Sequence, residues 1–173
     1  MKSLRLERPE DAPAVRALLR EAFGRADEAD LVDVLREAGA PVLAMVAVED
    51  GAAGQVVAHV LYTWVTVDTE SGDRVPLLGL APLAVLPEHQ GEGIGTQLVE
   101  ASLEHLRAEG HAAVVLVGHP AYYPRFGFLP ASRWGLRWEA DCPDEAFMAI
   151  ELNPGSLAGV RGVVRFRPEF AGI

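Results

Sequence analysis

The chain has 173 residues, half of them hydrophobic and 23% charged, with a net charge of −10 at neutral pH. That length and balance fit a single globular domain, residues 1–173, with a proper core. They argue against nucleic acid as a partner, whose phosphates call for a basic surface, and no apolar run nears the roughly 18 residues of a membrane span.

The opening "MKSLRLERPEDAP" has no apolar stretch of signal-peptide type. The single cysteine, Cys142, can form no disulfide within the chain and leaves the redox compartment open. The expectation is a soluble, cytoplasmic protein. The acidic balance would suit a cationic small molecule, although acidity also serves solubility alone. The basic residues are nearly all arginine, with Lys2 the one lysine, which reads as composition.

"LRLERPE" is a short strand with Leu4 and Leu6 alternating. "DAPAVRALLREAF" is an amphipathic helix: Asp11 is a cap, Pro13 suits the first turn, and Val15, Leu18, Leu19 and Phe23 share a face. A second helix over about 27–38 carries Leu31, Val34 and Leu35 and stops at Gly39, before Pro41. Residues 41–86 read as a three-strand antiparallel meander with turns at "EDGAAG" and "DTESGD". A third helix over Ile94 to Ala108 presents Leu98, Ala101 and Leu106 to a core. It is followed by "HAAVVLVG", a nearly continuous apolar run of the kind buried on both faces. Residues 77–117 thus form a strand–helix–strand crossover joined to the meander. The tail adds a helical turn at "PAYYPRF", strands at "GLRWE" and "AFMAIEL", and a last hairpin through "NPGS" into "GVVRF". The fold class is α+β, a mixed central sheet flanked by helices.

The segment "QGEGIGT", residues 90–96, places Gly91, Gly93 and Gly95 where the third helix must begin. Glycine costs a helix about 1 kcal/mol against alanine. A helix N-terminus, however, offers four unpaired N–H groups and roughly half a positive charge. Removing Cβ atoms there lets an anion approach the backbone and lets the turn visit positive φ. The segment reads as a phosphate cradle, to which Thr96 could add a hydroxyl and Gln90 an amide donor. It lacks the lysine of a P-loop and the G-x-G-x-x-G spacing of a dinucleotide site. A tight strand–helix turn without a ligand is the structural alternative.

"Gln90-Gly91-Glu92-Gly93-Ile94-Gly95" resembles the Q/R-x-x-G-x-G/A acetyl-coenzyme A signature of the GNAT N-acetyltransferases. The preceding "LAVLPEHQ" and the later "YYPRFGF" are similar to that superfamily, in particular to a bacterial branch of acetyltransferases of uncertain substrate. The resemblance implies a GNAT-like fold in which two parallel strands, about 77–86 and 112–117, splay apart around the pantetheine arm. Pro82 would then sit at a bulge. It implies acetyl-CoA as cosubstrate and no metal. Leu83, Ala84 and Val85 would bond pantetheine through their backbone, and Gln90 to Thr96, with Glu92 and Ile94 among them, would surround the pyrophosphate. The Val85 N–H would polarise the thioester carbonyl.

The resemblance also implies direct transfer to a primary amine in a ternary complex. Tyr123, four residues before Gly127, stands where the family has a tyrosine acid; Tyr122 is assigned to the core or a substrate wall. No carboxylate lies in "VPLLGLAPLAV", where many relatives keep a base. His119 is the nearest titratable candidate, and a histidine that caps or packs at a strand end is the competing reading. His89 is assigned to the surface. Asp27, Glu28 and Asp30 could face an acceptor or simply favour a helix start. "VGHPA" replaces the asparagine often found after the second splayed strand. Trp134 and Trp138 are expected to pack the tail, and Cys142 has no paired histidine. The acceptor is a small-molecule or peptide amine, with a homodimer compatible. The alternatives are a non-catalytic acyl-CoA sensor and a nucleotide-binding module.

Overall fold

The computed structural model describes residues 1–51 and 54–173, so part of the "EDGAAG" turn lies outside the described residues. The strands are β1 (Lys2–Leu6), β2 (Pro41–Glu49), β3 (Gln55–Thr69), β4 (Arg74–Val85), β5 (Ala113–Val117), β6 (Leu129–Pro130), β7 (Leu136–Trp138), β8 (Phe147–Glu151) and β9 (Gly162–Arg165). The helices are α1 (Ala12–Phe23), α2 (Asp27–Glu37) and α3 (Ile94–Ala108). Hydrogen-bonded strand order is β1-β2-β3-β4-β5-β8-β6, with β9 on β3 and β7 on β9. This is the expected mixed α+β sheet, flanked by helices. The chain divides into two compact units, and β3, β4 and α3 each contribute residues to both.

The first unit comprises Met1–Thr63, Ala81–Glu104 and Pro168–Ile173. β1 runs antiparallel to β2, with Leu4 opposite Ala47, and β2 antiparallel to β3, with Val46 opposite His59. The apolar stripes bury as their 3.6-residue spacing dictates: Val15, Leu18 and Leu19 from α1, Leu31, Val32 and Leu35 from α2, Leu98, Val99 and Leu103 from α3. Each such side chain contributes about 1.5–3 kcal/mol. Phe23 and Val34, expected on those faces, are 40% and 47% exposed. Phe23 is the last residue of α1, and Val34 stands about 100° round α2 from the direction shared by Leu31, Val32 and Leu35.

Asp11 does not cap α1. Its carboxylate accepts the Arg8 N–H at 2.7 Å, closing the 3-10 turn Pro9–Asp11, and takes Arg5 in a two-point ion pair at 2.7 and 2.9 Å. The Arg5 guanidinium outweighs burial and holds this carboxyl below the usual range. β3 buries three further polar side chains, His59, Tyr62 and Thr63. Tyr62 donates to Ser102 Oγ at 2.7 Å, and Ser102 donates in turn to the Val99 carbonyl at 2.8 Å. His59 Nε2 lies 3.2 Å from Glu7 Oε1, an ion pair whenever the imidazole is protonated, though neither ring nitrogen completes a hydrogen bond. Glu7 also pairs with Arg36. Burial alone would raise the Glu7 carboxyl, but His59 and Arg36 together bring it below its ordinary value.

The second unit comprises Trp64–Leu80 and His105–Arg167. β4 and β5 run parallel, Leu78 opposite Val114 and Gly79 opposite Val115. This is the crossover the sequence predicted. Ala113 to Leu116 are buried, as their unbroken apolar run requires. β5 is antiparallel to β8, and β8 to the short β6. The expected last hairpin is absent among the described residues. Both edges of β8 are occupied, by β5 and β6, so β9 pairs instead with β3 antiparallel and β7 parallel. The connecting segment is turned back by Ser156 Oγ donating to the Ala112 carbonyl at 2.8 Å and Leu157 N–H donating to Glu151 at 2.9 Å. Trp134 and Trp138 pack against this core as expected.

Candidate active site

β4 carries Leu83, Ala84 and Val85 to its C-terminal end, and the next residue, Leu86, donates its N–H to the Val57 carbonyl at 2.9 Å. The chain then makes a 3-10 turn over Pro87–His89. Gly91 and Gly93 follow with φ of 81° and 84°, which L side chains rarely adopt, and the position of a Cβ at either has nothing within 4 Å. Helical hydrogen bonding is in place by Gln97, whose N–H donates to the Gly93 carbonyl at 3.0 Å, so the loop opens into the N-terminus of α3. A backbone turned by glycine, open in front and positive in potential is the fit an anion needs.

The side chains of this loop refine the expectations. Gln90 donates its amide to the Val85 carbonyl at 3.1 Å, so one amide proton holds the loop to the end of β4. Ile94 is buried and anchors the helix start. Glu92, the acid in the cradle, is answered by Lys2 Nζ at 2.7 Å and His89 Nδ1 at 3.4 Å. Lys2, followed by His89, holds the Glu92 carboxyl below its ordinary range. Lys2 therefore has a specific contact that composition did not reveal. His89, expected at the surface, is turned in between Glu92 and Glu49 with 12% of its side chain exposed.

His119 and Tyr123 belong to the second unit. The His119 carbonyl accepts the N–H of Tyr122 at 3.1 Å and of Tyr123 at 3.4 Å, starting the 3-10 turn Tyr123–Phe126, while the residue itself is exposed. Tyr123 is half-buried among Tyr122, Phe126 and Phe128, with ring centroids 5.0, 6.3 and 5.8 Å away. Burial, with a smaller effect of Tyr122, pushes its phenol up to about 12. Tyr122 is directed elsewhere: Arg125 lies 4.3 Å over its ring and donates Nε to its carbonyl at 2.8 Å.

The carboxylates proposed to face an acceptor are already paired. Arg25 makes two hydrogen bonds to Glu28, at 2.8 and 2.6 Å, and lies 3.6 Å from Asp27; Arg16 takes Asp30 at 2.8 Å. They give no support to a cationic acceptor. Burial first, then Asp144, Asp141 and Glu145, push the Cys142 thiol up, which opposes thiolate chemistry. Among the described residues no cluster of His, Cys, Asp or Glu could hold a metal ion, and no helix is long and apolar enough to cross a membrane.

A family model described as an acetyltransferase (GNAT) domain matches residues 3–131. The chain belongs to the GNAT family of N-acetyltransferases. It is 41% identical over 167 residues to the uncharacterized N-acetyltransferase YhbS of Escherichia coli K12, covering 96% of this chain and 97% of that one. A crystal structure of Escherichia coli YhbS in complex with CoA superposes with a TM-score of 0.90 at 40% identity, covering 98% of this chain and 91% of that one. A GNAT acetyltransferase from Brucella melitensis in complex with acetyl-CoA gives a TM-score of 0.79 at 34% identity, covering 98% of both.

Sequence reading missed Gly118 and Gly79. A Cβ at Gly118 would meet Tyr123 Cε2 at 2.5 Å, and one at Gly79 would meet Val65 at 2.8 Å and Phe166 at 2.9 Å. The available signal was a glycine inside or ending an apolar strand, where no turn is needed.

Proposed function

We propose that the protein transfers the acetyl group of acetyl-CoA to a primary amine by direct attack in a ternary complex. The observation that carries this reading is the cradle itself: positive-φ Gly91 and Gly93 immediately before α3, after the 3-10 turn that follows β4. The GNAT signature at residues 90–95 and the coenzyme A and acetyl-CoA complexes of the two solved relatives support it.

In this reading the N–H groups of Gly91 to Thr96 receive the pyrophosphate. Leu83, Ala84 and Val85 offer backbone groups to pantetheine. The Val85 N–H stabilises the oxyanion, and Gln90 on the Val85 carbonyl fixes the peptide plane that follows it. The neutral amine adds to the thioester carbonyl carbon and the C–S bond then breaks. Tyr123 donates a hydrogen bond, and then its proton, to the departing sulfur. The proton of the attacking nitrogen leaves to water, with His119 as the candidate base.

A thiol near 8.5 and a phenol at about 12 make complete transfer from Tyr123 uphill by about 3.5 units, roughly 5 kcal/mol. The phenol therefore acts as a hydrogen-bond donor while negative charge grows on sulfur, gives up its proton only once the C–S bond has broken, and is reprotonated from water.

The test follows thiol release from acetyl-CoA across a panel of amines: spermidine, lysine, an aminoglycoside and a peptide with a free amino terminus. Turnover of one of them with stoichiometric acetylated amine is the expected result. Tight acetyl-CoA binding with no turnover of any amine would instead favour an acyl-CoA sensor. ATP displacing coenzyme A would favour a nucleotide module.

A further inference from the structure

Gly118 follows β5 directly and keeps an ordinary backbone. Its φ is not in the left-handed region, in contrast to Gly127 at 102° on the far side of the same turn. Its N–H donates to the Ala146 carbonyl at 2.9 Å, as any residue could. The backbone does not ask for glycine here, and the space does. A Cβ would lie 2.5 Å from Tyr123 Cε2, 3.0 Å from its Cδ2 and 3.2 Å from Leu116 Cδ1. Carbon atoms in contact prefer about 3.5–4.0 Å. The edge of the Tyr123 ring rests on the bare Cα of Gly118.

The other sides of that ring are aromatic. Tyr122 and Phe128 stand edge-on to it at 5.0 and 5.8 Å, and Phe126 is tilted against it at 6.3 Å. With three walls made of rings, the glycine is the wall that sets how far the ring sinks and where its hydroxyl points. We propose that Gly118 is a positioning residue for acetyl transfer, whose missing side chain seats the Tyr123 phenol. This rests on Tyr123 as the donor to the leaving sulfur. An alanine would push the ring outward by about 1 Å, and a displacement of that size at a reacting group can cost about a hundredfold.

Gly118→Ala, Tyr123→Phe and the double variant are compared in thiol release from acetyl-CoA, with the panel amine turned over fastest. Gly118→Ala should lower kcat ten- to a hundredfold while KM for acetyl-CoA stays within threefold. In the Tyr123→Phe background it should lower kcat by less than twofold further, because the hydroxyl it displaces is gone. Multiplicative loss in the double variant, or wild-type kcat in Gly118→Ala, would overturn the proposal. Tyr123→Phe turning over like wild type would overturn the donor role of Tyr123 itself, which is a separate outcome.

Two measurements do not depend on activity. In 3-fluorotyrosine protein, Gly118→Ala should shift the fluorine resonance of Tyr123, identified by its loss in Tyr123→Phe, and leave that of Tyr62 in place. An unmoved Tyr123 resonance contradicts the seat. Should Gly118→Ala fold poorly, it should lower the melting temperature less in the Tyr123→Ala background than in the wild type, since the 2.5 Å clash is gone and only the 3.2 Å approach to Leu116 Cδ1 remains. Equal destabilisation with and without the ring would show that the glycine serves something else.

Discussion

At Gly91 and Gly93 the backbone turns through φ of 81° and 84°, and the places where a Cβ would stand have nothing within 4 Å. At Gly118 and Gly79 the backbone is ordinary, and those places are already taken, by Tyr123 in one case and by Val65 and Phe166 in the other. The first pair is glycine for conformation, at the turn that leads into α3. The second pair is glycine for packing, because a neighbouring ring has moved into the missing side chain's volume. Open space by itself marks only a turn, since Gly24, Gly39 and Gly110 share it, whereas a filled glycine points inward to what the protein holds still.

Gly93→Val breaks the first half of the comparison most severely. A β-branched residue at φ 84° is strained by about 1–3 kcal/mol, and its methyl groups would occupy the anion's approach. Loss of charge-assisted hydrogen bonds worth about 1.5–3 kcal/mol each should weaken coenzyme A binding about a hundredfold or more by calorimetry. Gly93→Asn sharpens the point, since asparagine tolerates left-handed backbone. It should melt close to wild type and still bind coenzyme A at least tenfold more weakly. Wild-type affinity in folded Gly93→Asn would remove the ligand from this glycine and leave only a turn.

Tyr123→Phe comes next in size. It keeps the ring that fills the Gly118 corner and removes the hydroxyl alone, so kcat should fall at least tenfold with acetyl-CoA affinity unchanged. Tyr122→Phe is the control and should change kcat less than threefold, because that ring is engaged with Arg125. Reversed effects would move the donor by one residue.

Gly79→Ala tests filled space without chemistry. Its Cβ would stand 2.8 Å from Val65 Cγ1 and 2.9 Å from Phe166 Cε2, and overpacking of this kind costs about 1–3 kcal/mol. A lower Tm with the affinity for coenzyme A retained is expected.

The smallest effect is on pH dependence. The folded Tyr123 phenol holds its proton up to about 12, whereas in the unfolded chain it is lost near 10. Between those values the unfolded state binds fewer protons than the folded one, so stability falls as pH rises through that window. Tyr123→Phe should flatten that fall in denaturant midpoints measured from pH 9 to 11.5.

The sequence disclosed elements whose signals are local. The limits of α3 and the buried run of β5 followed from apolar period and length, and the positive-φ turn before α3 from its glycines. Pairings decided by competition for strand edges were not visible: "NPGS" looks like a hairpin turn until β8 is seen with both edges occupied. Charged side chains were legible as residues and not as pairs. Asp27, Glu28 and Asp30 looked available to an acceptor, yet each meets an arginine, and Lys2 looked incidental although it neutralises Glu92. Gly118 went unremarked within "VGHPA", the segment that replaces a family asparagine, because the ring resting on it is five residues further along the chain.

The placement of coenzyme A on the glycine cradle is tested most directly by amide resonances during a coenzyme A titration. The N–H signals of Gly91, Gly93, Ile94, Gly95 and Thr96 should move downfield and saturate together with the calorimetric binding curve, as backbone donors taking up phosphate oxygens do. Saturable binding of coenzyme A that leaves those amides where they were would contradict the account.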